Sequence, residues 1–114
     1  MSDTKKDGAK RPCVYMLHCK GGSLYTGWTN DFEKRLAAHQ SGKGAKYTRS
    51  HLPVEPVYLE YLPDKITATQ REAEIKKLRP ELKRKLLGSA SNELCRRSGR
   101  LMNNSKPSTN EEQK

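Results

Sequence analysis

Acidic residues are scarce in this chain: 13 Asp and Glu stand against 23 Lys and Arg in 114 residues, a formal net charge of +10. A site built from several clustered carboxylates is therefore unexpected, and a polyanionic partner is favoured. Long apolar runs are missing too, and no lipidation motif is present, so membrane anchoring is not expected. Cysteine is limited to Cys13, Cys19 and Cys95, with neither C-x-x-C nor H-x-x-x-H spacing, which argues against a zinc site. An odd set of thiols without a signal-peptide pattern is expected to be reduced, in the cytoplasm. Apolar residues make up only 32% of the chain, enough for one small domain with a thin core. Phe and Trp occur once each, whereas tyrosine occurs five times, so most of the aromatic surface carries a hydroxyl.

Composition sets the expected boundaries. Residues 1–9 are polar and lack an apolar run, and residues 88–114 are rich in Ser, Asn, Lys and Glu; both read as unstructured ends. Between them, residues 10–87 hold 16 Lys and Arg against 8 Asp and Glu, so most of the positive charge belongs to the foldable part.

The stretch from Cys13 to Trp28 reads as a β-hairpin, two runs rich in Val, Tyr, Leu and Cys around Gly21-Gly22. Its loop length decides where two tyrosines point, because side chains alternate along a strand. A two-residue Gly21-Gly22 loop puts Tyr15 and Tyr25 on opposite faces. A three-residue loop from Gly21 to Ser23 pairs Cys19 with Tyr25 and aligns Tyr15, Leu17, Cys19, Tyr25 and Gly27; this register is the one expected.

A helix follows, with Asn30 as N-cap, Glu33 as its capping-box partner and Gly42 beyond its end. Its inward stripe is Phe32, Arg35, Leu36 and His39, which places an arginine and a histidine where apolar residues are usual. Each polar group has an ordinary explanation, since arginine snorkels and buried histidines find partners. Together, one turn apart and facing the tyrosine-bearing sheet, they suggest a site. The Gly-flanked segment after it carries Lys43, Lys46, Tyr47, Thr48 and Arg49, cations with an aromatic and hydroxyls, suited to phosphate and base contacts or simply to a solvated loop.

A third strand is expected over Val57 to Leu62, then a helix from Ala68 to Leu78 capped by Thr67, with Ala68, Glu72, Ile75 and Arg79 inward. A carboxylate on an apolar stripe is costly unless it pairs, for example with Arg35, or binds a cation. Pro80 opens a last helix with Leu82 and Leu86 inward and Lys83, Arg84 and Lys85 outward. The fold class is thus α/β, a small sandwich of one three-stranded antiparallel sheet with flanking helices in the order ββαβαα.

Two phenols, a guanidinium, an imidazole and one carboxylate are the parts of metal-assisted phosphodiester hydrolysis. One carboxylate can hold one divalent cation, guanidinium can neutralise the phosphorane-like transition state, and a phenol or imidazole can take the proton of the attacking water.

Tyr15 in Cys13-Val14-Tyr15, Tyr25 in Tyr25-Thr26-Gly27, then Arg35, His39 and Glu72 resemble the ordered signature of the GIY-YIG nuclease superfamily, over residues 11–87. The chain looks most similar to small stand-alone bacterial members. Cys13 stands in place of the motif's first glycine, Thr26 in place of its middle isoleucine, and Trp28 where several members carry lysine. The resemblance implies a one-metal DNA endonuclease, acting in repair or recombination, with Tyr15, Tyr25, Arg35, His39 and Glu72 catalytic. It implies that Glu72 holds one Mg²⁺ or Mn²⁺, that Arg35 contacts the scissile phosphate and that Tyr15, Tyr25 and His39 orient or deprotonate water. Lys43, Lys46, Tyr47, Arg49 and Lys76 are the expected nucleic-acid contacts, with DNA the expected partner, RNA a second candidate, and no partner protein evident. The alternative is a nucleic-acid-binding module that keeps the scaffold with little or no turnover.

Overall fold

The computed structural model describes residues 11–96. Strands β1 (Cys13–Cys19) and β2 (Leu24–Thr29) precede helix α1 (Phe32–Gln40) and a single helical turn, α2 (Lys46–Arg49). Strand β3 (Val54–Tyr61) and helices α3 (Lys65–Lys76) and α4 (Pro80–Leu87) follow. The strands form one antiparallel sheet in the order β2-β1-β3. This is the α/β sandwich expected from the sequence, with α2 added where a loop was expected.

β1 is central and covered on both faces, so it reads as a continuous apolar run rather than an alternating one. On one face Tyr15, Leu17 and Cys19 pack with Phe32 and Leu36 of α1 and with Leu59 of β3. On the other, Val14 and Met16 pack with Tyr58, with Ala68 and Ile75 of α3, and with Leu86 and Leu87 of α4. Trp28 joins this second face, beneath α3 and opposite the side that carries Tyr15. Burial in these layers pushes the Cys13 thiol up to about 11, as befits a small apolar side chain.

Several boundaries differ from the sequence reading for identifiable reasons. The hairpin loop is Lys20–Gly22: Cys19 N–H donates to Ser23 O, and Gly22 N–H to Cys19 O, both at 2.9 Å. Gly21 and Gly22 both sit at positive φ, where glycine carries no side-chain penalty. Tyr25 therefore opposes Leu17 rather than Cys19, a shift of two residues that leaves the facing of every side chain unchanged. α1 is capped by Asp31, whose carboxylate accepts from Lys34 N–H at 3.2 Å, and not by Asn30. α3 starts at Lys65, three residues before the expected Ala68, because Asp64 accepts from Thr67 N–H at 2.7 Å. β3 begins at Val54, and Leu82 of α4 is exposed rather than inward, as is Arg79.

The expectation of an unstructured tail from residue 88 fails over 88–96. Asn92 is 1% exposed, and its amide makes four hydrogen bonds: Oδ1 accepts from Leu59 N–H and Leu94 N–H, and Nδ2 donates to Val57 O and Leu87 O. One side chain thus joins the end of α4 to β3, and Leu94 covers the tyrosine-bearing layer beside it. The expectations for residues 1–9 and 97–114 lie outside the described residues.

Candidate active site

Tyr15 and Tyr25 share the face of the sheet that α1 covers, with ring centroids 6.4 Å apart. Tyr15 stands opposite Gly27, and the glycine is required there: a Cβ at that position would lie 2.6 Å from the Tyr15 hydroxyl oxygen. α1 delivers His39, wholly buried, with its ring 5.7 Å from that of Tyr15 and 5.4 Å from that of Tyr25. A second glycine lets the chain pass the imidazole, since a Cβ on Gly44 would fall 2.2 Å from His39 Nδ1.

The hydrogen bonds fix the tautomer of His39. Thr48, buried in α2, donates its only hydroxyl proton to Ala45 O at 2.9 Å. Its oxygen, 2.8 Å from His39 Nδ1, is left to accept, so Nδ1 carries the proton. Nε2 is then unprotonated and accepts from the Tyr15 hydroxyl at 2.8 Å. Burial, and next the charge of Arg35, hold the imidazole below its ordinary pKa, which favours this neutral form. Burial likewise raises the Tyr15 phenol to about 12, against the opposing pull of Arg35. Arg35 of α1 is an exposed residue whose guanidinium lies close enough to both phenols for their oxygens, that of Tyr15 foremost, to hold it further into the charged form.

Tyr25 continues outward into a stack. Its ring lies 6.3 Å from that of Tyr47, and the Tyr47 ring lies 4.0 Å from that of His51, with both pairs nearly parallel. The Tyr47 hydroxyl is tied to Ser23 Oγ at 2.6 Å, and Tyr47 keeps 42% of its surface exposed. Lys43, Lys46 and Arg49 are exposed nearby in sequence, around α2.

Glu72 is reached differently. It lies on α3, which packs on the opposite face of the sheet and against β2, the edge strand that carries Tyr25. Its carboxylate pairs with Lys76 Nζ at 3.1 Å and not with Arg35. Lys76 in turn lines a hollow with Tyr25, Thr26 and Tyr47, so the two faces communicate around the β2 edge. Among the described residues no group of three His, Cys, Asp or Glu side chains is placed to hold a metal. The Glu72 side chain is one-fifth exposed and, among the described residues, bonded only to a displaceable lysine, which fits a single hard cation whose remaining ligands are water or phosphate oxygens.

Of the residues singled out from the sequence, Tyr15, Tyr25, Arg35 and His39 come together on one face of the sheet, and Glu72 pairs with Lys76 on the other side of the β2 edge. Sequence reasoning missed the part played by Thr48 and the close passage of Gly44, because both depend on α2 folding back over α1. It also missed His51 and Ser23, which hold Tyr47.

A family model described as the GIY-YIG catalytic domain matches residues 11–85. A UPF0213 protein of Clostridium perfringens is 54% identical over 78 residues, covering 68% of this chain and 84% of its own. A UPF0213 protein of Natronomonas pharaonis is 49% identical over 74 residues, covering 65% and 87%. The solution structure of a UPF0213 protein from Bacillus halodurans, 38% identical, superposes with a TM-score of 0.50 over 78% of this chain and 95% of that one. Among the described residues no helix is long and apolar enough to cross a membrane.

Proposed function

The chain belongs to the GIY-YIG catalytic-domain family, a nuclease superfamily whose substrates are nucleic acids, and from that premise we propose that it is a divalent-metal-dependent DNA endonuclease. The observation that carries this reading is the bond from the Tyr15 hydroxyl to an unprotonated His39 Nε2, with Thr48 behind the imidazole and Arg35 beside the phenol.

A phenol held protonated is a poor base by itself, but here its proton already points at a neutral acceptor. As a water attacks phosphorus, its proton passes to the Tyr15 oxygen while the phenol's own proton moves to His39 Nε2. Arg35 stabilises negative charge that develops on the phenol oxygen and on the phosphoryl oxygens next to it. Tyr25 walls the reacting centre and holds the Tyr47 platform against it. Glu72 is the residue that would hold one Mg²⁺ or Mn²⁺. Such an ion, when bound, supplies Lewis-acid stabilisation of the leaving oxygen.

Nicking of supercoiled plasmid by highly purified protein, with and without Mg²⁺, tests the reading. Wild-type protein should nick only with the metal, and Tyr15→Phe should lose on the order of 10² to 10⁴ in rate, the usual worth of a general acid or base. Wild-type protein that binds plasmid without ever nicking it would favour the binding-module alternative.

A further inference from the structure

A second hollow adjoins the one that Tyr25, Tyr47 and Lys76 line. It has a volume of about 230 Å³ and runs from Ser23 and Leu24 at the hairpin to Pro80 and Arg84 of α4. The first, about 220 Å³, shares Leu24 and Lys83 with it, so the two form one groove along the β2 edge, from the aromatic stack to α4. Three cations line this groove, Lys76, Lys83 and Arg84, and no carboxylate does. Lys76 is paired with Glu72, whereas Lys83 and Arg84 have no ion-pair partner among the described residues.

We propose that this groove binds a single polynucleotide strand leaving the active site, with its phosphates on Lys83 and Arg84 and a base against the exposed part of Tyr47. The inference rests on the reading of the site as one that acts on nucleic acid. The lining favours a single strand over a duplex. The groove runs between one strand edge and one helix. It combines a cationic wall with an aromatic one, the pairing that single strands need because their bases are free to stack. Thr26 also lines the groove, and its Oγ1 is the buried side-chain oxygen that lacks a partner among the described residues.

The proposal is tested by fluorescence anisotropy in EDTA, where cleavage plays no part, using labelled oligothymidine and a labelled duplex. The double variant Lys83→Gln, Arg84→Gln removes the two unpaired groove cations. Lys77→Gln, Lys85→Gln removes the same charge from the C-cap of α3 and from α4, at positions that do not line the groove. The groove variant should bind oligothymidine about tenfold or more weakly and lower the log–log salt slope by about 1.4, the release expected for two single-strand phosphates. The control pair should change affinity less than about twofold and leave the slope near wild type, because general screening alone then separates the proteins. Lys83→Arg, Arg84→Lys should restore binding. Equal losses in the groove and control variants, or a loss for duplex as large as for oligothymidine, would overturn the proposal. Failure of plasmid nicking with intact groove binding would instead count against the catalytic reading alone.

Discussion

At the scale of single residues, the site depends on which nitrogen of His39 carries a proton, and Thr48 decides that. Thr48→Val keeps the shape but removes the acceptor for Nδ1–H, so the imidazole loses the bond that keeps Nε2 free. We expect Thr48→Val to lose roughly tenfold or more in nicking rate, within the usual range for an impaired acid–base group. Thr48→Ser should recover most of it, and ¹⁵N shifts of the imidazole should report the tautomer in each variant. The same residue sets a pH dependence. His39 is held neutral with a pKa below its unfolded value, so the unfolded chain binds the extra proton first as pH falls. Its contribution to stability is present above about pH 6.5, the ordinary histidine value, and is lost as pH falls through the lowered folded value. Thermal melts between neutral and mildly acidic pH should show this loss, and His39→Gln should flatten that part of the profile. A wild-type melting curve indifferent to acidification would remove His39 as the titrating group.

At the scale of elements, legibility followed the range of the interactions that set each feature. The facing of Tyr15 and Tyr25 was readable because strand periodicity preserves it even when the loop shifts by two residues. The helix starts were less so: Asn30 and Asp31 are both good caps, as are Asp64 and Thr67, and backbone entry geometry chose between them. The four residues of α2 carry no period long enough to detect, yet they place Thr48 behind His39 and Tyr47 beside Tyr25. Asn92 was hidden for a similar reason, since a lone asparagine in a polar segment gives no sign of four long-range bonds. Truncation after Gly88 removes that residue and should lower the melting temperature markedly. Asn92→Ala should cost about 3 kcal/mol, because it leaves buried backbone groups of β3 and α4 unsatisfied. Denaturant melts of the two variants check both expectations. An unchanged midpoint would return the end of the domain to Leu87.

At the scale of the whole molecule, charge and topology act together. The excess of Lys and Arg attracts nucleic acid, and binding should weaken steeply as ionic strength rises through the physiological range, which a salt titration of anisotropy measures. Topology then sets what the attracted strand meets. The sheet separates Tyr15, Tyr25, Arg35 and His39 on one face from Glu72 on the other, and β2 is the edge around which they join through Lys76. In the proposed function, Glu72 serves the phenol side of that edge as the metal-holding carboxylate. Glu72→Gln, followed by a Mg²⁺ titration of plasmid nicking beside circular-dichroism melting, tests it most directly. The variant should melt within about 1 kcal/mol of wild type, the range of a partly exposed ion pair, bind DNA as well or better, and not nick at any Mg²⁺ concentration. A variant that nicks at the wild-type rate, or one that is inactive only because it has unfolded, would contradict it.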